Sequence, residues 1–268
     1  MIDVSLAGLT FSCALRYPET ARFFPKPDPA AIRVGGEPVC LTDGDWAFYR
    51  GDGIEDGAYS EFSLLTAAFS DALMDHDRII IHAVAIRWQD RAYLIAAQPG
   101  VGKSTQARFL QQLRPGEFSV ICGDRPVLEF RPCEPVTNVT GAANRFPSPV
   151  SGHCETSPQT GRGNPSSRDS ILVHPSLWNG KENWYGAEAA PLEGLILLRR
   201  GDQNELISLT AREAAIRVYT QMIQLYADGE KIRKAAELTT RLLNNVPIWQ
   251  LTSFQVPDST RLLLNSLF

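Results

Sequence analysis

The sequence predicts a mixed α/β (α+β) fold. Three observations carry that reading. Apolar β-type runs alternate with segments of helical period, and the centre reads strand, glycine-rich loop, helix over 92–113. No repeat of fixed period points to a solenoid or propeller. With 268 residues, 44% of them hydrophobic, the chain can fill one large core, or a core with a smaller attachment.

Two parts are expected. The first, 1–75, is a strand-rich layer followed by a helix. Residues 4–15 read as a strand. Pro25, Pro27 and Pro29, then Gly35-Gly36, Asp43-Gly44-Asp45 and Gly51-Asp52-Gly53, read as turns between short runs. Phe62, Leu65, Phe69 and Leu73 recur at three and four residues, which predicts a helix over 59–75.

The second part, 76–268, opens with a β run over 78–86 that contains His82. Gln89-Asp90 turns the chain into a strand over 92–96, which feeds the loop 97–104 and a helix over 105–113. A further strand, Phe118–Cys122, ends at Gly123-Asp124. Residues 131–170 then hold six Pro, four Gly and six Ser with little periodicity. Such a stretch buries too little to offset the entropy of ordering it, so a mobile loop is expected. Strands over 171–174 and 192–198 flank a turn at 175–182. Thr210 and Glu213 form a capping box opening a helix that carries Ala214, Val218, Met222 and Leu225. A helix over 229–244, a strand over 247–251 and a short helix capped by Asp258 complete the chain.

Composition narrows the function. Twenty-six Lys and Arg against thirty Asp and Glu give a net charge of −4, which argues against wholesale binding to nucleic acid or anionic membranes. Five cysteines lack a CxxC spacing, and four histidines lack HxxxH or HExxH. Zinc is therefore not expected, and reduced thiols in a cytoplasmic protein are. No apolar run reaches the length of a membrane span, and Asp3 stands where a secretory leader wants positive charge. Asn138-Val139-Thr140 matches a glycosylation sequon that no signal peptide accompanies.

The chemistry concentrates at Ala97-Gln98-Pro99-Gly100-Val101-Gly102-Lys103-Ser104, continued by Thr105. This is a phosphate-binding loop with alanine in place of its first glycine. Such a loop turns backbone N–H groups inward around an anion at a helix N-terminus. Lys103 can reach β and γ phosphates, and the Ser104 hydroxyl can ligate magnesium. Asp124, ending the next strand, is the second anchor if that strand runs parallel beside the loop's own. There it would hold magnesium or take a proton from an attacking hydroxyl; otherwise it is a turn carboxylate before Arg125-Pro126. His82 reads either as a core histidine or as a site residue. Arg199-Arg200, ending an apolar strand, could reach a phosphate but reads more simply as solvated charge; the turn Trp178-Asn179-Gly180-Lys181-Glu182 reads more simply as surface.

The order His82, Gln98-Pro99-Gly100-Val101-Gly102-Lys103-Ser104-Thr105, Cys122-Gly123-Asp124-Arg125-Pro126-Val127, Trp178-Asn179-Gly180-Lys181-Glu182 resembles the HPr kinase/phosphorylase catalytic domain. It is closer still to diverged bacterial members lacking the regulatory N-terminal domain. The resemblance covers 76–255 and implies a core shared with nucleotide-dependent phosphoenolpyruvate carboxykinases, with a mixed sheet and flanking helices. It also implies Lys103 and Ser104 on the triphosphate and magnesium, Asp124 near the reacting phosphate, His82 facing the site, and a homo-oligomer. Two features depart from the pattern. The family's tandem aspartates stand here as Gly123-Asp124, and the HPr-docking and phosphorylase segments have no clear counterpart.

The leading expectation is a kinase dependent on ATP and Mg2+, moving the γ-phosphoryl group to a hydroxyl, whether a protein serine or a small molecule. Residues 98–105 would bind the nucleotide, Ser104 and Asp124 the metal, and Lys103, Asp124 and His82 would serve catalysis. In such a kinase 131–170 and the turn 178–182 would cover or select the acceptor. A nucleotide-binding sensor with degenerate catalysis and a carboxykinase-like small-molecule enzyme are the alternatives.

Overall fold

The computed structural model describes residues 1–132, 170–186, 188–225 and 229–268. The loop expected to be mobile, 131–170, lies almost wholly outside these residues, and the Asn138 sequon wholly so.

The first layer is a small sheet. Strands β1 (Ile2–Leu6) and β2 (Leu9–Cys13) pair antiparallel, and β3 (Ile32–Arg33) adds parallel to β2. The single strand expected over 4–15 is thus a hairpin turning at Ala7-Gly8. Its mark in the sequence is a change of parity: Val4 and Leu6 are buried on one arm, Leu9, Phe11 and Cys13 on the other. Where Asp43-Gly44-Asp45 reads as a turn, the chain forms α1 (Asp43–Gly51). Thr42 caps it, accepting from Asp45 N at 3.2 Å while Asp45 Oδ2 accepts from Thr42 N at 2.7 Å. The aspartate does the work that glutamate does in the commoner capping box, and it hides the helix from a pattern search. Helix α2 (Ala58–Met74) forms as its spacing predicts.

A nine-stranded mixed sheet follows. Its strands are β4 (Arg78–Ile80), β5 (Ala83–Trp88), β6 (Arg91–Ala96), β7 (Phe118–Cys122), β8 (Val127–Arg131), β9 (Ser170–His174), β10 (Ala190–Arg200), β11 (Glu205–Leu209) and β12 (Ile248–Ser253). The helices are α3 (Lys103–Leu113), α4 (Ala211–Tyr219), α5 (Gly229–Asn245) and α6 (Val256–Leu267). The order is β4-β8-β9-β10-β6-β5-β7, with β12 beside β10 and β11 beside β12. Strand β10 runs parallel to β6 and β12, and the other pairings are antiparallel.

Residues alternate along β6, so that Leu94 and Ala96 face one side of the sheet and Tyr93 and Ile95 the other. On the first side they meet Val218 of α4 and Leu238 of α5. On the second they meet Ala107 and Leu110 of α3 and Leu263 of α6. A third cluster joins the small layer to the large sheet, with Trp46, Leu65 and Phe69 packed against Ile80, Val127 and Trp178.

Three sequence expectations change. The run 78–86 is two strands broken at Ile81-His82, because the chain moves there from pairing with β8 to pairing with β6 and β7. Helix α4 stops at Tyr219, so Met222 and Leu225 lie beyond it. Residues 221–223 instead extend along β4, with His82 N donating to Gln221 O and Ile223 N to Ile80 O, both at 2.8 Å. Asp258 is the third residue of α6, not its cap; Gln255 holds that position and Pro257 lies in the first turn.

Candidate active site

The loop between β6 and α3 is shaped by two glycines. Gly100 has φ 77° and Gly102 φ 121°, a region that side-chain-bearing residues rarely occupy. Gln98, Pro99 and Gly100 are exposed, Val101 and Gly102 half-buried, and Ala97 is buried. No side chain caps the start of α3, so the N–H groups of its first turn, where Ser104 and Thr105 stand, await an acceptor. Arg200 Nη2 donates to Gly100 O at 2.8 Å, which ties the end of β10 to the loop. Arg200 is exposed, as its sequence reading as solvated charge expects, and makes this contact from the surface.

Lys103 folds inward. Only 8% exposed, its ammonium donates to Ala97 O at 3.0 Å and lies 2.9 Å from His82 Nε2. His82 Nε2 in turn lies 3.3 Å from Asp124 Oδ1. That single nitrogen holds either a lone pair turned to Lys103 or a proton turned to Asp124, never both. Burial pushes the Lys103 pKa down, against the opposing pull of the Asp124 charge. Burial also works against ionisation of Asp124. The His82 hydrogen bond and the charges of Arg125, His82 and Lys103 outweigh it, so the carboxyl sits below its ordinary range.

The reason these groups meet is a bent ribbon. Strands β5 and β4 run antiparallel to β7 and β8 along their whole length: Ala85 faces Cys122, Ala83 N donates to Asp124 O at 2.9 Å, Ile81 N to Pro126 O at 3.1 Å, and Ile80 faces Val127. Both strands break at the same level, where Asp124 stands opposite Ala83 and so one position along from His82, within reach of its ring. The expectation of β7 adjacent to β6 is corrected, because β5 lies between them. Asp124 reaches the loop across His82, not from a neighbouring strand.

The turn after β9 covers this break. Arg125 N donates to Trp178 O and Gly123 N to Trp184 O, each at 3.1 Å. A Cβ on Gly123 would overlap the Asn179 carbonyl oxygen and stand 3.2 Å from Trp184 Cβ. Glycine at this position, where the resembled family has its first aspartate, is therefore required by the turn. The turn brings Gly180, Lys181 and Glu182 to a cleft of 520 Å³ shared with Pro99, Gly100, Gly102, Lys103, Ser104, Thr105, His82 and Asp124. Sequence reasoning gave Arg125 no role and read the turn that carries Lys181 and Glu182 more simply as surface. Only the order of motifs hinted otherwise.

Ser104 and Asp124 present a hydroxyl and a carboxylate to one cleft, the hard oxygen donors that magnesium takes alongside phosphate and water. They fit that ion. Among the described residues no three His, Cys, Asp or Glu side chains gather to hold a metal unaided. No described helix is long and apolar enough to cross a membrane.

No family model matches the chain, and no curated protein matches it. Among solved structures it is similar to the HPr(Ser) kinase/phosphatase from Coxiella burnetii. The match has 9% sequence identity and a TM-score of 0.32, and covers 69% of this chain and 86% of that one. The relationship is structural and distant.

Proposed function

We propose that the protein is a kinase that transfers the γ-phosphoryl group of Mg-ATP to a hydroxyl. One observation carries the reading: the glycine loop, Lys103, His82 and Asp124 line a single cleft, with a cation at one end of the His82 contact and a carboxylate at the other.

Phosphoryl transfer through a loose transition state asks little covalent chemistry of a protein and much positioning of charge. The loop amides and α3 N-terminus would hold the β and γ phosphates. Lys103 would exchange its Ala97 and His82 contacts for phosphate oxygens, which make stronger charge-assisted bonds. His82 Nε2 would then be free to carry a proton toward Asp124. Ser104 and Asp124 would hold magnesium, which when bound neutralises charge on the phosphates. The acceptor oxygen bonds to γ-phosphorus as the bond to the bridging oxygen breaks. Its proton passes to Asp124, and ADP leaves. A carboxylate held below its ordinary pKa is a weak base, so Asp124 acts chiefly by orienting the hydroxyl and takes the proton late.

The test is Asp124→Asn. Turnover should fall about 10²–10⁴-fold while Mg-ATP still binds; unchanged turnover contradicts the assignment.

A further inference from the structure

A second cavity, of 410 Å³, shares His82, Pro99 and Arg125 with the phosphate cleft. One wall is α2, with Leu64 and Thr66. The other is the segment 220–224, pinned to β4 through the backbone bonds of Gln221 and Ile223. Gln221 and Gln224 line it while only 6% and 5% exposed. The amide oxygen of each has no hydrogen-bond partner among the described residues. Gln224 spends its other end on the Tyr219 hydroxyl, at 3.0 Å.

A buried acceptor without a donor costs about 1–3 kcal/mol. Each oxygen is itself shut off from solvent, so N–H donors of a ligand in the cavity meet it once the amide turns, which the soft terminal torsion of glutamine allows. Arg125 supplies the opposite demand. Its Nη1 is held by Thr66 Oγ1 at 2.7 Å and Ser63 O at 3.2 Å, and its Nε stands 3.3 Å from Asp124 Oδ2. Its Nη2 has no hydrogen-bond partner among the described residues. Leu64 and Met222 offer apolar surface between these polar points. The volume suits a small molecule.

We propose that this cavity is the acceptor site of the kinase, and that the acceptor is a free hydroxy amino acid. Its ammonium would meet the Gln221 and Gln224 carbonyls, its carboxylate Arg125, and its hydroxyl the Asp124 carboxylate. This rests on the kinase reading. The step balances as in that reading: the acceptor O–P bond forms, the P–O bond to the bridging oxygen breaks, the proton goes to Asp124, and ADP departs.

The test uses the full chain saturated with the non-hydrolysable analogue Mg-AMP-PNP and titrated by calorimetry with L-serine, L-threonine and L-homoserine. Wild type should bind at least one of them. Gln221→Met and Gln224→Met should each weaken that binding about tenfold or more, with AMP-PNP affinity unchanged. Because methionine removes an unpartnered carbonyl without emptying its space, Gln221→Met should also melt no lower than wild type, whereas Gln224→Met gives up its bond to the Tyr219 hydroxyl as well. Absence of binding by all three amino acids to nucleotide-loaded protein overturns this proposal alone, as does equal binding by the variants. Transfer from ATP to serine in a peptide but to no free amino acid overturns it too. Failure of AMP-PNP itself to bind removes the kinase reading and this proposal with it.

Discussion

At the scale of single residues the site depends on one imidazole nitrogen set between an ammonium and a carboxylate. In the proposed mechanism nucleotide entry would move the ammonium away and make the coupling of His82 to Asp124 available. Gly123 shows how tightly the same point is packed. Restoring a second carboxylate with Gly123→Asp should not raise phosphotransfer; it should destabilise the fold by about 1–3 kcal/mol through overlap with the 178–184 turn. Denaturant unfolding checks this, and a stable, faster variant would contradict it. The strand, glycine loop and helix over 92–113 were legible in the sequence because their requirements are local: two glycines, a lysine and a hydroxyl between an apolar run and a segment of helical period. The position of His82 could not be read from local pattern, since it depends on a strand break that apolar Ile79, Ile80 and Ile81 conceal; only the family resemblance pointed it toward the site.

At the scale of elements, three strands are joined by one buried carboxylate. Glu129 of β8 accepts from Arg78 of β4 at 2.5 Å, from His174 of β9 at 2.8 Å and from Arg131 at 3.0 Å. Burial would raise its pKa, but the His174 and Arg131 hydrogen bonds and the Arg78 and His174 charges hold it down to about 2. A carboxylate depressed in the fold stabilises it above the unfolded pKa, near 4.5, and that share is lost as pH falls from there through about 2. Melting across this window should show the loss in wild type. Glu129→Gln should show less of it, and at pH 7 should already be destabilised by about 3 kcal/mol, because Arg78 is left buried without its partner. A variant with wild-type stability and wild-type acid dependence would exclude the role. Elements with strong period, α2 and α5, could be read from spacing alone. Helix α1 could not, because its cap uses aspartate, and the reach of α4 was overread because Met222 and Leu225 keep helical spacing by coincidence in an extended segment.

At the scale of the whole molecule, the small layer is bound to the large sheet through Trp178. Its ring stacks on Phe62 at 5.6 Å between centroids, and its Nε1 donates to Phe62 O at 2.7 Å. The same residue fixes Arg125 through its carbonyl, so packing between the layers and the shape of the site are one arrangement. Trp178→Ala should cost about 3–5 kcal/mol and lower phosphotransfer in protein that remains folded; measured together, stability loss without activity loss would separate the two. The mixed α/β class follows from the alternation of periods. The course of β10, which pairs with β9 at its start and with β6 and β12 beyond, is a long-range property that no local pattern carries.

The central claim is that the loop at Lys103 is a working nucleotide site. Calorimetric titration of Mg-ATP into wild type and Lys103→Ala tests it most directly. The account predicts micromolar binding by the wild type and no measurable binding by the variant. Absence of binding in the wild type, or equal binding by both, would contradict it.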